Sequence, residues 1–419
     1  MKCPLWNLFS SMRSRFLSTT KSLARLPDFP GLLGGTLALG MAYSFYGPFI
    51  SMWGTEAVGL SPSGFSLFMT CTSLCAILVG TTMGRLSDTI LARRHALIVS
   101  AVGGAAGYAC YAFIRNPYAL CAVGCLVLSF SSGSFAQLFA HVREHYDRPL
   151  AEDVEPSLIM SVVRVCFSFA WTVGPALGAV MLVAYGFEGL FTAAAVLWVL
   201  FLVGVIFFVP NKPRPVAHSL APKESVWRTF RRPDIVICFF AFAVLAAAQS
   251  VNMMNLPLAI THSLGGTKHD LGIVFGVGPL VEVPVMIWFG QLASRGYQQQ
   301  LIRFGFVLAF LYFAGLSMAA HPWHVYLLQI VSGVMVSISS NVAIVFFQDL
   351  LPGQPGLATA LYSNAQAAGN LLGMLSFGFL VEGFGHRGVF VACAILAVVG
   401  LLLILRYKRH VPGEVLIRG

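Results

Sequence analysis

The sequence predicts an all-α membrane protein of twelve transmembrane helices in two pseudo-symmetric six-helix bundles. Three observations predict it. First, 57% of the 419 residues are hydrophobic and only 10% are charged, against about a quarter charged in a soluble domain. Second, apolar stretches of about 20 residues, the length that crosses a bilayer core, recur along the chain. Third, Lys and Arg concentrate in every second connection between those stretches. The stretches run over 31–53, 62–83, 96–114, 117–141, 156–184 and 187–209, then 234–259, 270–292, 300–319, 323–348, 355–382 and 386–406.

The formal net charge of +10 does not point to nucleic acid, because the cations sit between hydrophobic segments rather than on one soluble face. They report orientation instead. With the N-terminus in the cytoplasm, inside segments carry 22 of the 26 Lys and Arg, outside loops carry Arg115, Lys268 and Arg387, and Arg164 lies within the fifth helix. Both termini are therefore expected to be cytoplasmic. Residues 1–29 hold Lys2, Arg13, Arg15, Lys21 and Arg25 without a long apolar core, which reads as a basic tail beside anionic lipid and not as a signal peptide. Eight of the nine cysteines fall inside predicted helices. Pairs such as Cys71 with Cys75 lack nearby His or acidic partners, so they read as packing; neither a metal nor a cofactor is expected.

The loop 210–233 has five prolines and six cations and almost no apolar run, so it reads as a cytoplasmic linker. It divides the chain into a tail over 1–29, a six-helix bundle over 30–209, a second over 234–406 and a tail over 407–419. Internal similarity supports the division. Pro156, Gly174 and Phe191 fall opposite Pro355, Gly373 and Phe390 at one constant offset, and the turn expected at Gly84–Asp88 echoes Gly290–Ser294. Parallel six-helix repeats are the arrangement in which two bundles rock around a midplane site.

Specific motifs sharpen this. Gly84-x-Leu86-x-Asp88 followed by Arg93-Arg94 resembles the loop signature of the major facilitator superfamily, whose usual glycine near Leu91 and basic residue near Thr89 are absent here. Gly174-Pro175-x-x-Gly178 resembles the antiporter signature of its efflux members. Small-residue helix packing would select the same glycines. Within the superfamily the chain resembles the bacterial sugar efflux transporter family. That resemblance rests on Gln137-Leu138-Phe139-Ala140-x-x-Arg143-Glu144, on Arg164 with Ser168 to Trp171, on Glu282-x-Pro284-Val285-Met286 with Gly290, and on Leu361-Tyr362-Ser363-Asn364. It implies a monomer in the bacterial inner membrane that exports small sugars or glycoside-like solutes against proton entry. The alternative is a multidrug or amino-acid exporter of the same superfamily.

An ionisable group inside a membrane costs at least a few kcal/mol, which makes each a functional candidate. Of sixteen Asp and Glu, only Glu282 sits well inside a span, and Arg164 is its cationic counterpart. Arg164 and Glu282 lie at depths of roughly 12 and 15 Å from the same side, and the resemblance implies that the helices bearing them pack together. Three roles stay open: a proton-sensitive contact, a permanent ion pair, and direct sugar binding.

For solute binding the candidates are Gln249, Asn252 and Asn255 on the seventh helix and Gln366 and Asn370 on the eleventh, with Gln137, Arg164, Trp171 and Tyr43 in the first half. Amides and aromatics suit hydroxyls and sugar ring faces; each could equally be a bond between helices. His141 and His145 read as solvated groups at a helix end. No zinc-protease motif or nucleophile with a base occurs in the spans, so no enzyme is expected, and no filter sequence or voltage-sensing Arg series suggests a channel.

Overall fold

The computed structural model describes residues 26, 28–146, 156–210, 232–351 and 354–407. The expected basic tail, central linker and C-terminal tail lie outside the described residues apart from their edges. Among the described residues the chain is helical throughout, with no strand.

Helix α1 covers Phe29–Tyr46 and then breaks at Gly47–Phe49, because Pro48 has no N–H to give the ladder, before a π-helical turn at Trp53–Ala57. Helices α2 (Pro62–Thr89) and α3 (Arg93–Phe113) follow. The turn expected at Gly84–Asp88 does not form. Those residues lie inside α2, which meets no breaker there and ends only where Ile90 and Leu91 both donate to the Leu86 carbonyl and Ala92 turns extended.

Helix α4 spans Pro117–Tyr146 with a 3₁₀ stretch at Leu128–Gly133. Its cause is local: Ser129, Ser131 and Ser132 each donate back to a carbonyl three or four residues earlier at 2.7 Å, which competes with the regular ladder. The repeat reproduces the device. Helix α10 (Pro322–Leu350) has a π-helical turn at Ile338–Val342, where Ser339 and Ser340 both donate to Val336.

Pro156–Phe208 folds at Gly186 into α5 (156–185) and α6 (187–208), and Pro355–Arg406 folds at Gly385 into α11 (355–384) and α12 (386–406). Both glycines have φ +66°, a conformation that L side chains rarely adopt. Helices α7 (Pro233–Leu258), α8 (Lys268–Leu292) and α9 (Gln298–Met318) complete the set, so twelve apolar helical segments run through the described residues.

The chain forms two compact units. The first takes in the described residues of Met1–Leu60, Phe68–His218 and Leu271–Gly276; the second takes in those of Ser61–Leu67, Ser219–Asp270 and Val277–Gly419. In the first unit α1 lies against α5. Ser44 donates to the Ala170 carbonyl at 3.1 Å, and a Cβ on Gly174 would overlap the Ser44 side chain. In the second unit α7 lies against α11 in the same way, with Ser250 donating to Asn370 O at 3.1 Å and a Cβ on Gly373 coming 2.6 Å from Ala247 O. Close backbone approach through small residues is how helices pack where lipid gives no hydrophobic drive.

Candidate functional site

In the second unit, polar side chains of four helices join into two short networks. In one, Gln249 of α7 donates to Ser339 Oγ at 3.3 Å, Tyr362 of α11 donates to Ser339 O at 2.6 Å, and Gln366 donates to the Tyr362 hydroxyl at 2.9 Å. The hub is the Ser339 turn of α10, which offers its hydroxyl to Gln249 and its carbonyl to Tyr362. In the other, Asn252 of α7 and Gln329 of α10 both donate to the Tyr312 hydroxyl of α9, at 3.4 and 3.1 Å. Asn252 Oδ1 is buried with no hydrogen-bond partner among the described residues, a state that costs about 1–3 kcal/mol unless something supplies a donor.

Two expected members of this set lie elsewhere. Asn255 is fully buried, and both ends of its amide are occupied: Nδ2 donates to His386 O at 3.0 Å and Oδ1 meets His386 Nδ1 at 2.7 Å. It ties α7 to the start of α12. Asn370 has an exposed side chain, and its carbonyl serves the α7–α11 seam. Ser339, Tyr312 and Gln329 were not among the sequence candidates. Gln329 was findable, as an amide inside the apolar run Leu327-Leu328-Gln329-Ile330-Val331. Tyr312 carried no such signal, because an aromatic in a membrane helix reads as packing.

The first unit is aromatic where the second is amide-rich. Tyr43 donates to Ser131 O at 2.9 Å and lies 3.0 Å from Ser134 Oγ, with its ring 5.4 Å from that of Trp198. Tyr46 stands 4.4 Å from Tyr108, and Trp53 stacks on Tyr111 at 4.8 Å. The Tyr43 hydroxyl is thus engaged with α4. Trp171 is half-buried beside Gly47 of α1, where a Cβ would lie 3.7 Å from its ring. A groove of about 820 Å³ opens beside α5 and α6, lined by Phe45, Met181, Tyr185, Glu188, Thr192 and Leu197. None of the candidates lines it.

Arg93 organises the end of α2, α3 and α4. Its guanidinium holds Glu144 in a bidentate pair, both bonds at 2.7 Å, reaches Asp88 at 3.0 Å, and donates to Gln137 Oε1 at 2.9 Å and Ser87 Oγ at 3.4 Å. Bidentate Arg–carboxylate pairs are among the stronger polar contacts, and the Arg93 side chain is only 11% exposed. Gln137, expected to face solute, is buried and engaged here. Gly84 of the same signature has nothing within 4 Å of where a Cβ would stand, so it is not a close-packing position.

Arg164 is exposed on α5 in the first unit, and Glu282 is half-buried on α8 in the second. In the antiporter-like segment, Gly174 and Gly178 face α1: a Cβ on Gly178 would come 2.5 Å from Phe45 O. That contact accounts for both glycines by packing, with Pro175 between them inside the helix.

Repeated six-helix halves, long apolar helices and amide–hydroxyl clusters between those helices define an integral multi-pass membrane protein of the carrier type. The chain belongs to the Major Facilitator Superfamily, whose pattern it matches over residues 32–322 and 238–417. It is 31% identical over 374 residues to a Deinococcus radiodurans protein described as a sugar efflux transporter, covering 89% of this chain and 96% of that one. It is 28% identical to sugar efflux transporter A of Escherichia coli, covering 88% and 93%. A multidrug resistance protein, MdtG of Proteus mirabilis, is 23% identical over 52% of this chain and 56% of its own length. Among solved structures, the nucleoside transporter NupG superposes with TM-score 0.71 at 15% identity over 90% of this chain and all of that one. A POT family transporter in complex with 5-aminolevulinic acid gives 0.70 at 14%, over 90% and 95%. These two show the shared fold.

Proposed function

We propose that this protein exports small sugars or glycoside-like solutes across the bacterial inner membrane by alternating access coupled to proton entry, acting as a monomer with both termini in the cytoplasm. The observation that carries the reading is near full-length similarity to transporters named for sugar efflux. The uncharged amide–hydroxyl networks around Ser339 and Tyr312 supply the chemistry that hydroxyls need. Gln249, Asn252 and Gln366 of the second unit are the solute contacts of this reading; Asn255 and Gln137, whose polar atoms are engaged elsewhere, are left out.

Glu282 and Arg164 are the proton-coupling groups of this reading, with Glu282 the proton carrier. A membrane potential supplies about 2.3 kcal/mol per 100 mV for each charge moved, and a pH unit adds about 1.4 kcal/mol. One proton therefore suffices for a solute gradient of roughly several hundredfold. Glu282→Gln keeps the shape and cannot titrate, so uphill export is lost while downhill exchange of solute persists in proteoliposomes. Uphill transport that still responds to an imposed pH gradient in the glutamine variant sinks the assignment.

Uptake of a radiolabelled sugar panel into everted vesicles, with and without a pH gradient, tests the function itself. The half-length similarity to a multidrug resistance protein supports a second reading, export of lipophilic drugs, and a panel in which only a cationic dye is moved selects it. For orientation, single cysteines placed at Ser219 and Ala57 label from opposite membrane faces. Labelling from one face removes the arrangement.

A further inference from the structure

The Tyr312 network leaves one polar atom unused. Tyr312 is 1% exposed, and its hydroxyl takes amide hydrogens from both Asn252 and Gln329. A phenol has two lone pairs and one hydrogen. Two incoming amide donors fill both lone pairs, so the oxygen accepts no further bond. Both carboxamides are thereby held in one sense, nitrogen toward the phenol and carbonyl away from it. Asn252 Oδ1 is then a buried acceptor facing no donor among the described residues. Gln329 Oε1 lies over Gly278 of α8, where a Cβ would stand 3.2 Å away and where glycine leaves the space open.

Buried acceptors without a donor are rare in native proteins, and each calls for a reason. We propose that Asn252, Tyr312 and Gln329 form a solute subsite in which Asn252 Oδ1 accepts the hydrogen of a solute hydroxyl and Tyr312 is the positioning residue that holds both carboxamides. This rests on the sugar-export reading and adds to it the atom that discriminates one hydroxyl. The three side chains are uncharged, which suits a neutral donor better than a cation. A site built to bond a hydroxyl rejects the analogue lacking it, because the acceptor is left bare.

Counterflow in proteoliposomes with radiolabelled glucose and sucrose tests it, using as competitors the set of deoxy analogues that each lack one hydroxyl. With the wild type, one deoxy analogue competes about tenfold more weakly than its parent sugar, as the loss of one buried hydrogen bond requires. Asn252→Ala erases that difference and leaves discrimination at the other hydroxyls intact. Tyr312→Phe, which removes a single oxygen and keeps the packing, cuts the same ratio to about threefold.

A ratio of two solutes on one sample does not depend on how much protein has folded, so a purely packing role lowers both values and leaves the ratio alone. A wild type that moves sugars while both variants retain the full ratio overturns this inference and spares the export reading. A wild type that moves neither sugar nor any relative of them overturns both.

Discussion

The α2–α3–α4 corner of the first unit and the α8–α9–α10 corner of the second occupy matching places in the repeat, and they are closed by different chemistry. In the first, Arg93 gathers Asp88, Glu144, Gln137 and Ser87 around one guanidinium. In the second, the equivalent stretch places Gln298 against Asp349 through one bond of 2.9 Å. A single hydrogen bond contributes about 1 kcal/mol net, and a bidentate pair to a charged group about twice that or more. At these ends the α3–α4 contact is therefore the stronger one; elsewhere along its length α10 also bonds α9, through Gln329 and Tyr312. The helix seams show the reverse pattern, since α1–α5 and α7–α11 repeat the same Ser-to-carbonyl bond at the same 3.1 Å. Duplication preserved the packing of the backbone and let the polar ends diverge.

The largest expected effect breaks a seam. A Cβ on Gly373 would meet the Ala247 carbonyl, which cannot move without moving α7, so Gly373→Ala is expected to cost about 3 kcal/mol. Gly174→Ala meets Ser44 Oγ, which can rotate away, and Ser44 Cβ at 2.7 Å, which cannot, and is expected to cost about 2 kcal/mol. Thermal unfolding in detergent measures both, and equal shifts would show that the seams yield alike.

Next comes the charged corner. Arg93→Ala is expected to cost on the order of 2 kcal/mol, with Asp88 contributing least because its side chain is 61% exposed and screened. Gln298→Ala in the second corner should stay under about 0.5 kcal/mol. If the two substitutions lower the unfolding temperature equally, the asymmetry between the corners has no energetic content.

Much of the architecture is legible in the sequence. The length of the apolar runs, the alternation of Lys and Arg and the offset linking Gly174 to Gly373 pointed to helix number, repeat and membrane character, because each is a property of a segment taken by itself. Gln366 bonding Tyr362 one turn away is likewise local. Legibility stopped where a partner came from another helix. Gly84–Asp88 reads as a turn by its composition and is helix in fact, since glycine in a helix is only weakly unfavourable and nothing nearby opposed the ladder.

Asn252 and Asn255 show the limit most plainly. They are the same residue type, one turn apart on one apolar helix, and sequence alone gives them the same role. Helical spacing fixes which side of α7 each occupies but not what stands there. One meets the Tyr312 hydroxyl of α9, and the other is taken up at both ends by His386 of α12. The sequence by itself determined that this chain is a duplicated bundle of membrane helices, because water, lipid and charge act on each segment independently. Only the tertiary structure decided which amides are spent between helices and which keep a free oxygen, because a hydrogen bond requires a partner within about 3 Å and at the right angle, and helix packing alone sets both.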